Sequence, residues 1–194
     1  MKRFITASAL SAAILLGAFA VSYAAEYSAD MHTVAQGQTV DAKISVKDNK
    51  SRTEMSGMSI INRGDLGVSW IVVPVQGMYM EHPFDARTLA QTSGDAAGVQ
   101  REALGQETVD GESLDKFKVT YTVRGKSESL YQWLNAQGQP VKCEALDQSW
   151  TTTFSNIRTS GVEDSLFEVP AGLQKMQMPS MGDMGAGADS NTER

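Results

Sequence analysis

"TVDAKISVKDNK", residues 39–50, carries apolar side chains at alternate positions: Val40, Ala42, Ile44 and Val46. Asp41, Lys43, Ser45 and Lys47 take the positions between. A period of two sends the two sets to opposite faces of an extended strand. The run then breaks at Asp48-Asn49-Lys50, residue types that favour a turn. "DKFKVTYTVRGK" (115–126) repeats the pattern. Phe117, Val119, Tyr121 and Val123 point inward; Lys116, Lys118, Thr120 and Thr122 point outward. "RGK" closes the run as a hairpin turn.

"INRGDLGVSW" and "NAQGQPVK" hold two more Gly-centred turns. Working from turn to turn predicts strands near 26–35, 39–47, 50–57, 58–63, 67–73, 77–82, 114–124, 127–135, 139–147 and 150–158. Residues 105–110 read as a short lead-in. Sequential strands joined by tight turns make an antiparallel meander. The expected fold class is therefore mainly β, a strongly curved antiparallel sheet of about ten strands with one or two short helices. The helical segments are "PFDARTLAQ" (83–91), with Asp85 as its cap, and a turn around Glu163–Leu166 in "GVEDSLFEV" (161–169). Residues 92–100 read as a Gly-rich loop. Apolar and charged faces alternate, so the sheet is expected to be covered on one side only. With so little helix, it must curl on itself or leave its concave face partly open.

The first 24 residues are a secretory signal by pattern. Met1-Lys2-Arg3 is basic, Phe4–Val21 is apolar, and Ser22-Tyr23-Ala24 supplies the small residues of a cleavage site. Cutting there leaves 170 of the 194 residues and places the protein in the periplasm or outside the cell. No cysteine lies near the cut to take a lipid, and no later stretch is apolar enough to span a membrane. The expected organisation is a signal peptide (1–24), one β domain (25–175) and a disordered Met/Gly-rich tail (176–194).

The full chain has 17 basic and 23 acidic residues, net −6, and losing Lys2 and Arg3 with the signal takes this to −8. That charge disfavours nucleic acid and anionic membrane surfaces. The single cysteine, Cys143, lies in alternation with Val141 and Ala145 and reads as a buried, inert thiol. The sequence holds two histidines, His32 and His82, and lacks a nucleophile elbow, a Walker loop, a dinucleotide fingerprint, H-E-x-x-H and C-x-x-C. The expectation is a protein that is not an enzyme and carries no cofactor.

Three longer strings carry a resemblance: "KSRTEMSGMSIINRGDLGVSWIVVPVQGMYMEHP" (50–83), "GQETVDGESLDKFKVTY" (105–121) and "SLFEVPAGLQKM" (165–176). In order and spacing they resemble a family of secreted bacterial proteins, domain of unknown function 4412. That family belongs with the half-barrel superfamily of LolA, LolB and RseB. The resemblance implies a curved antiparallel sheet around an apolar concavity plugged by short helices. It also implies, by analogy with the carriers, a hydrophobic partner: a small molecule, a lipid, or a segment of lipoprotein or protein. The chain departs from the carriers in lacking long covering helices.

Three site readings follow. Trp70 alternates with Val68 and Val72 and is expected to face the interior; with Met78 and Met80 these form the expected ligand-binding concave face. Trp133 shares a face with Tyr131 opposite Leu130 and Leu134, so one side of that strand must be partly covered. In "MYMEH" the residues Met78, Met80 and His82 share one side of a strand, and Met176, Met178, Met181 and Met184 follow in the tail. Thioethers and imidazole are soft-metal ligands, so Cu(I) binding is the alternative reading of those seven residues. A third reading is an envelope sensor or protein-interaction module that docks a partner on its edge or concavity.

Overall fold

Hairpins build the molecule. The computed structural model describes residues 26–92, 98–123 and 125–176. In chain order the strands are β1 (Glu26–Ala35), β2 (Gln38–Lys47), β3 (Lys50–Met55), β4 (Met58–Arg63), β5 (Val68–Val73) and β6 (Met78–Pro83). One helix follows, α1 (Ala86–Thr92). Then come β7 (Gln100–Val109), β8 (Glu112–Val123), β9 (Lys126–Leu134), β10 (Pro140–Ala145), β11 (Trp150–Arg158) and β12 (Gln174–Met176). Short 3-10 turns cover Pro74–Gln76 and Asp164–Phe167. Two of the two-residue hairpins turn on Gln36-Gly37 and Asp110-Gly111, all four with positive φ. That backbone matches the twist of the flanking strands.

All twelve strands form one open sheet in the order β12-β6-β5-β4-β3-β2-β1-β11-β10-β9-β8-β7. Two meanders meet at its centre, where β1 pairs antiparallel with β11, Met31 opposite Phe154 and Thr33 opposite Thr152. β12 alone pairs in parallel, against β6. The expected mainly-β, curved antiparallel architecture is what the chain adopts.

The curvature follows from α1, which touches β3, β8 and β10 at once. From β3 to β8 is six strand spacings, roughly 29 Å along the sheet. A seven-residue helix is only about 10 Å long. The sheet must therefore wrap around the helix, and the face that meets α1 is the concave one. Register assigns this face Tyr27, Ala29, Met31, Ile44, Val46, Phe117, Val119, Tyr121, Leu130, Leu134, Cys143 and Phe154. With Ala90 they form the main core, apart from Met31, which packs at its margin.

Asp85 caps α1 as expected, its Oδ1 accepting from the Arg87 N–H at 2.9 Å. The last carbonyls of α1, which lack partners within the helix, take side-chain donors instead. Arg101 Nη2 donates to Ala90 O, Gln132 Nε2 to Gln91 O and Tyr27 Oη to Thr92 O, at 3.2, 2.6 and 2.9 Å. Strands β7, β9 and β1 thus hold one helix end. Beside the same Gln91 carbonyl, burial pushes the Cys143 thiol up to about 12.

The convex face is covered too, which differs from the one-sided sheet expected. After β11 the chain crosses back over β2–β5 as a strap. Phe167 is fully buried there with Val162 against Ile61 and Val72. Asp164 accepts from Lys50 and Lys47 at 2.8 and 3.1 Å. Arg52 and Arg63 donate to the carbonyls of Leu166 and Phe167. Lys47, Lys50, Arg52 and Arg63, basic residues of β2–β4, are the anchors of this strap.

Two other departures are local. The 105–110 lead-in is part of a ten-residue edge strand, β7, whose side chains are nearly all exposed, so no apolar period marks it. Met176 is not in a tail: it ends β12. Met178, Met181, Met184 and the signal-like residues 1–24 lie outside the described residues.

Candidate functional site

Cross-strand register sorts the expected ligand-binding residues onto two faces. Trp70 pairs with Glu81 and Val72 with Tyr79, whereas Ile71 pairs with Met80 and Val73 with Met78. Directly opposed residues share a face. Val68, Trp70 and Val72 therefore lie on the convex side, and Met78 and Met80 on the concave side. Trp70 and Val72 pack with Phe167 beneath the strap. The Arg63 guanidinium sits 5.9 Å from the Trp70 ring, and the indole N–H donates to Glu81 Oε2 at 3.1 Å. The five residues do not make one surface. "VSWIVV" is apolar at both parities beyond Ser69, so alternation alone could not pick the concave side.

On the concave side three rows of side chains cross β2–β6. Val46, Ser51, Asn62, Ser69 and His82 form the first; Ile44, Thr53, Ile60, Ile71 and Met80 the second. The third reaches the strand ends, with Met55 opposite Met58 and Val73 opposite Met78. The first row is a buried polar chain: Asn62 Nδ2 donates to Ser51 Oγ at 3.1 Å, and Ser69 Oγ donates to Asn62 Oδ1 at 2.7 Å. The second and third rows are only half-buried in β4–β6. The concave face is thus filled under α1 and thinly covered toward β6.

A cleft of about 870 Å³ opens at the end of the third row. It exists because β2 outruns its neighbour. Their pairing stops at Lys43 opposite Glu54, while β2 extends back to Gln38 alongside β1. The β3–β4 turn and the 3-10 turn at Pro74–Gln76 form the opposite wall. Met31, Ala42, Met55, Met58 and Val75 supply apolar lining. Asp30, His32, Asp41, Lys43, Arg52 and Glu54 line it from the convex side. Four of these groups form two pairs: His32 Nδ1 lies 2.7 Å from Asp41 Oδ1, and Arg52 Nε donates to Glu54 Oε1 at 2.7 Å. The cleft is therefore amphipathic, with thioethers on both walls toward the concave side and a charged rim on the convex side.

Sequence reasoning passed over Met31, Met55 and Met58. The signal was there in part: "MSGM" (55–58) is a two-residue turn flanked by methionines, which must then be cross-strand partners. Nothing local says that β2 and β3 separate beside them.

The soft-metal residues fall as follows. Met78, Met80 and His82 share the concave face, but Met78 and His82 are roughly 13 Å apart along the strand, too far to share one ion. Met176 lies beside Met80 at the sheet edge. No group of three His, Cys, Asp or Glu residues clusters among the described residues. Trp133 is on the convex face, where the ammonium groups of Lys116 and Lys142 lie 4.6 and 4.5 Å from its ring. These cation–π contacts partly cover that side of the strand. Trp150 packs at the margin of the main core.

Among the described residues no helix is long and apolar enough to cross a membrane. Neither a family model nor a curated protein matches the chain. Solved structures do. A LolA-superfamily protein from Nitrosomonas europaea is 13% identical over 75% of this chain and 90% of its own, with a TM-score of 0.41. MucB, in its complex with MucA from Pseudomonas aeruginosa, is 13% identical with a TM-score of 0.43; 79% of this chain matches 58% of MucB. The lipoprotein LppX from Mycobacterium tuberculosis is 15% identical over 70% of this chain and 89% of its own, at 0.36.

Proposed function

We propose that this protein is a periplasmic, non-enzymatic binding protein that holds a hydrophobic ligand, an acyl chain of a lipid or acylated protein segment, in the cleft between β2 and the β3–β4 turn. The observation that carries this reading is the 870 Å³ space walled by Met31, Met55 and Met58 and rimmed by charge. That volume is within the range of small-molecule sites. Methionine walls adapt to varied apolar shapes because the thioether chain is unbranched and flexible. Burying apolar ligand area contributes about 25 cal/mol per Å², offset by ordering the ligand. The rim suits a polar headgroup left at the mouth. The signal-like N-terminus supports the compartment, and the three strings quoted above support kinship with the secreted family they resemble.

Titration with a fluorescent fatty acid, with native mass spectrometry of protein isolated from periplasm, tests the reading. Saturable binding and a co-purified adduct of lipid mass are expected. Absence of both refutes it.

A further inference from the structure

The geometry points to a soft-metal site at the β6–β12 corner, in which the thioethers of Met78, Met80 and Met176 hold one Cu(I) ion. This site is separate from the cleft. Three contacts set its register. β12 runs parallel to β6 with Gln174 beside Met78, Lys175 beside Tyr79 and Met176 beside Met80. The Gln174 N–H donates to Gly77 O at 2.9 Å. Lys175 Nζ donates to Glu81 Oε1 at 2.8 Å, which commits Lys175 to the convex face with Tyr79 and Glu81. Met176 must then fall on the concave face, with Met78 and Met80.

Spacing favours convergence on one ion. Neighbouring strands are about 4.8 Å apart, and residues two apart on a strand roughly 6.6 Å. Each thioether has three rotatable bonds with which to close such gaps. Met176 is 49% exposed and the other two are half-buried, so an ion can enter from the sheet edge. Three neutral, polarisable sulfurs select a soft monovalent cation and offer nothing to Mg²⁺ or Ca²⁺. The ion would also staple a three-residue edge strand to the sheet.

The test is competition of the full chain with the chromogenic Cu(I) chelator bicinchoninate under anaerobic conditions, repeated with Ag(I) by native mass spectrometry. Wild type is expected to take one ion. Replacing Met80 and Met176 together with Leu conserves volume and should weaken binding at least roughly tenfold, the least expected for losing direct ligands. A Met178→Leu, Met181→Leu, Met184→Leu variant should keep wild-type affinity. Circular dichroism confirms that each variant folds. The proposal is overturned if wild type takes no ion, if the Met80/Met176 variant binds as wild type does, or if the variant altered at 178, 181 and 184 loses the ion.

Discussion

Replacing Phe167 with Ala tests which face of the sheet the strap closes. Phe167 is fully buried against Ile61, Val72 and Val162. The Lys50 ammonium lies 5.4 Å from its ring, and its carbonyl accepts from Arg63 at 3.3 Å. Truncating a buried Phe removes its transfer free energy and leaves a cavity, a loss of about 3–5 kcal/mol. Against a total stability of about 5–15 kcal/mol, that is a large fraction. With a urea slope near 2 kcal/mol per molar, the unfolding midpoint should drop by about 1.5–2.5 M. Urea titration read by tryptophan fluorescence measures this, and Trp70 beneath the strap should red-shift in the variant even before unfolding. Fatty-acid binding in the cleft, which does not include Phe167, should persist in the folded variant. A midpoint shift under about 0.5 M refutes the packing argument, because a solvated Phe167 would leave Trp70 and Val72 open to ligand.

Other predictions address the cleft, the thiol and the strap's charges. Introducing Glu at both Met55 and Met58 puts carboxylates on the apolar wall and should weaken fatty-acid binding at least tenfold, since burying a charge without a partner is costly. Val68→Ala, on the convex face, should leave that affinity unchanged; equal effects would move the site. Cys143 should resist a disulfide reagent at pH 8 in native buffer and react promptly in urea, because burial raises its pKa to about 12. Rapid labelling of the native protein would contradict its burial under α1. Asp164 is held below its ordinary pKa by Lys50 and then Lys47, and Glu81 by Lys175 and then Trp70. Carboxylates lowered in this way stabilise the fold above their unfolded pKa and lose that contribution as pH falls through the lower folded values. Strap and β12 should therefore loosen below about pH 4, seen as a Trp70 emission shift preceding global unfolding. A flat emission profile down to the unfolding pH would count against the ion pairs.

Much of the β architecture is local information. In "KFKVTYTV" (116–123) each inward position faces the concave core and each outward one faces away, because pleating alternates side chains wherever a strand lies. The hairpins at 48–49 and 125 and the cap at Asp85 depend only on a few neighbouring residues. Side choice is different in kind. Trp70 and Ile71 are both apolar, and only their pairing with Glu81 and Met80 distributes them between strap and concavity. β7 is a strand because β8 offers it an edge, and its own exposed side chains do not announce it. β12 exists because the strap returns the chain to β6 after nearly a hundred residues.

The sequence by itself thus determined the strand periods, the turns and the helix cap. Each arises from interactions within a few residues. Tertiary structure alone decided that the strap claims the convex face, that β2 outruns β3 to open a methionine-walled cleft, and that Met176 comes to rest beside Met80. Those outcomes depend on cross-strand register and on long-range pairing, which no window of sequence contains.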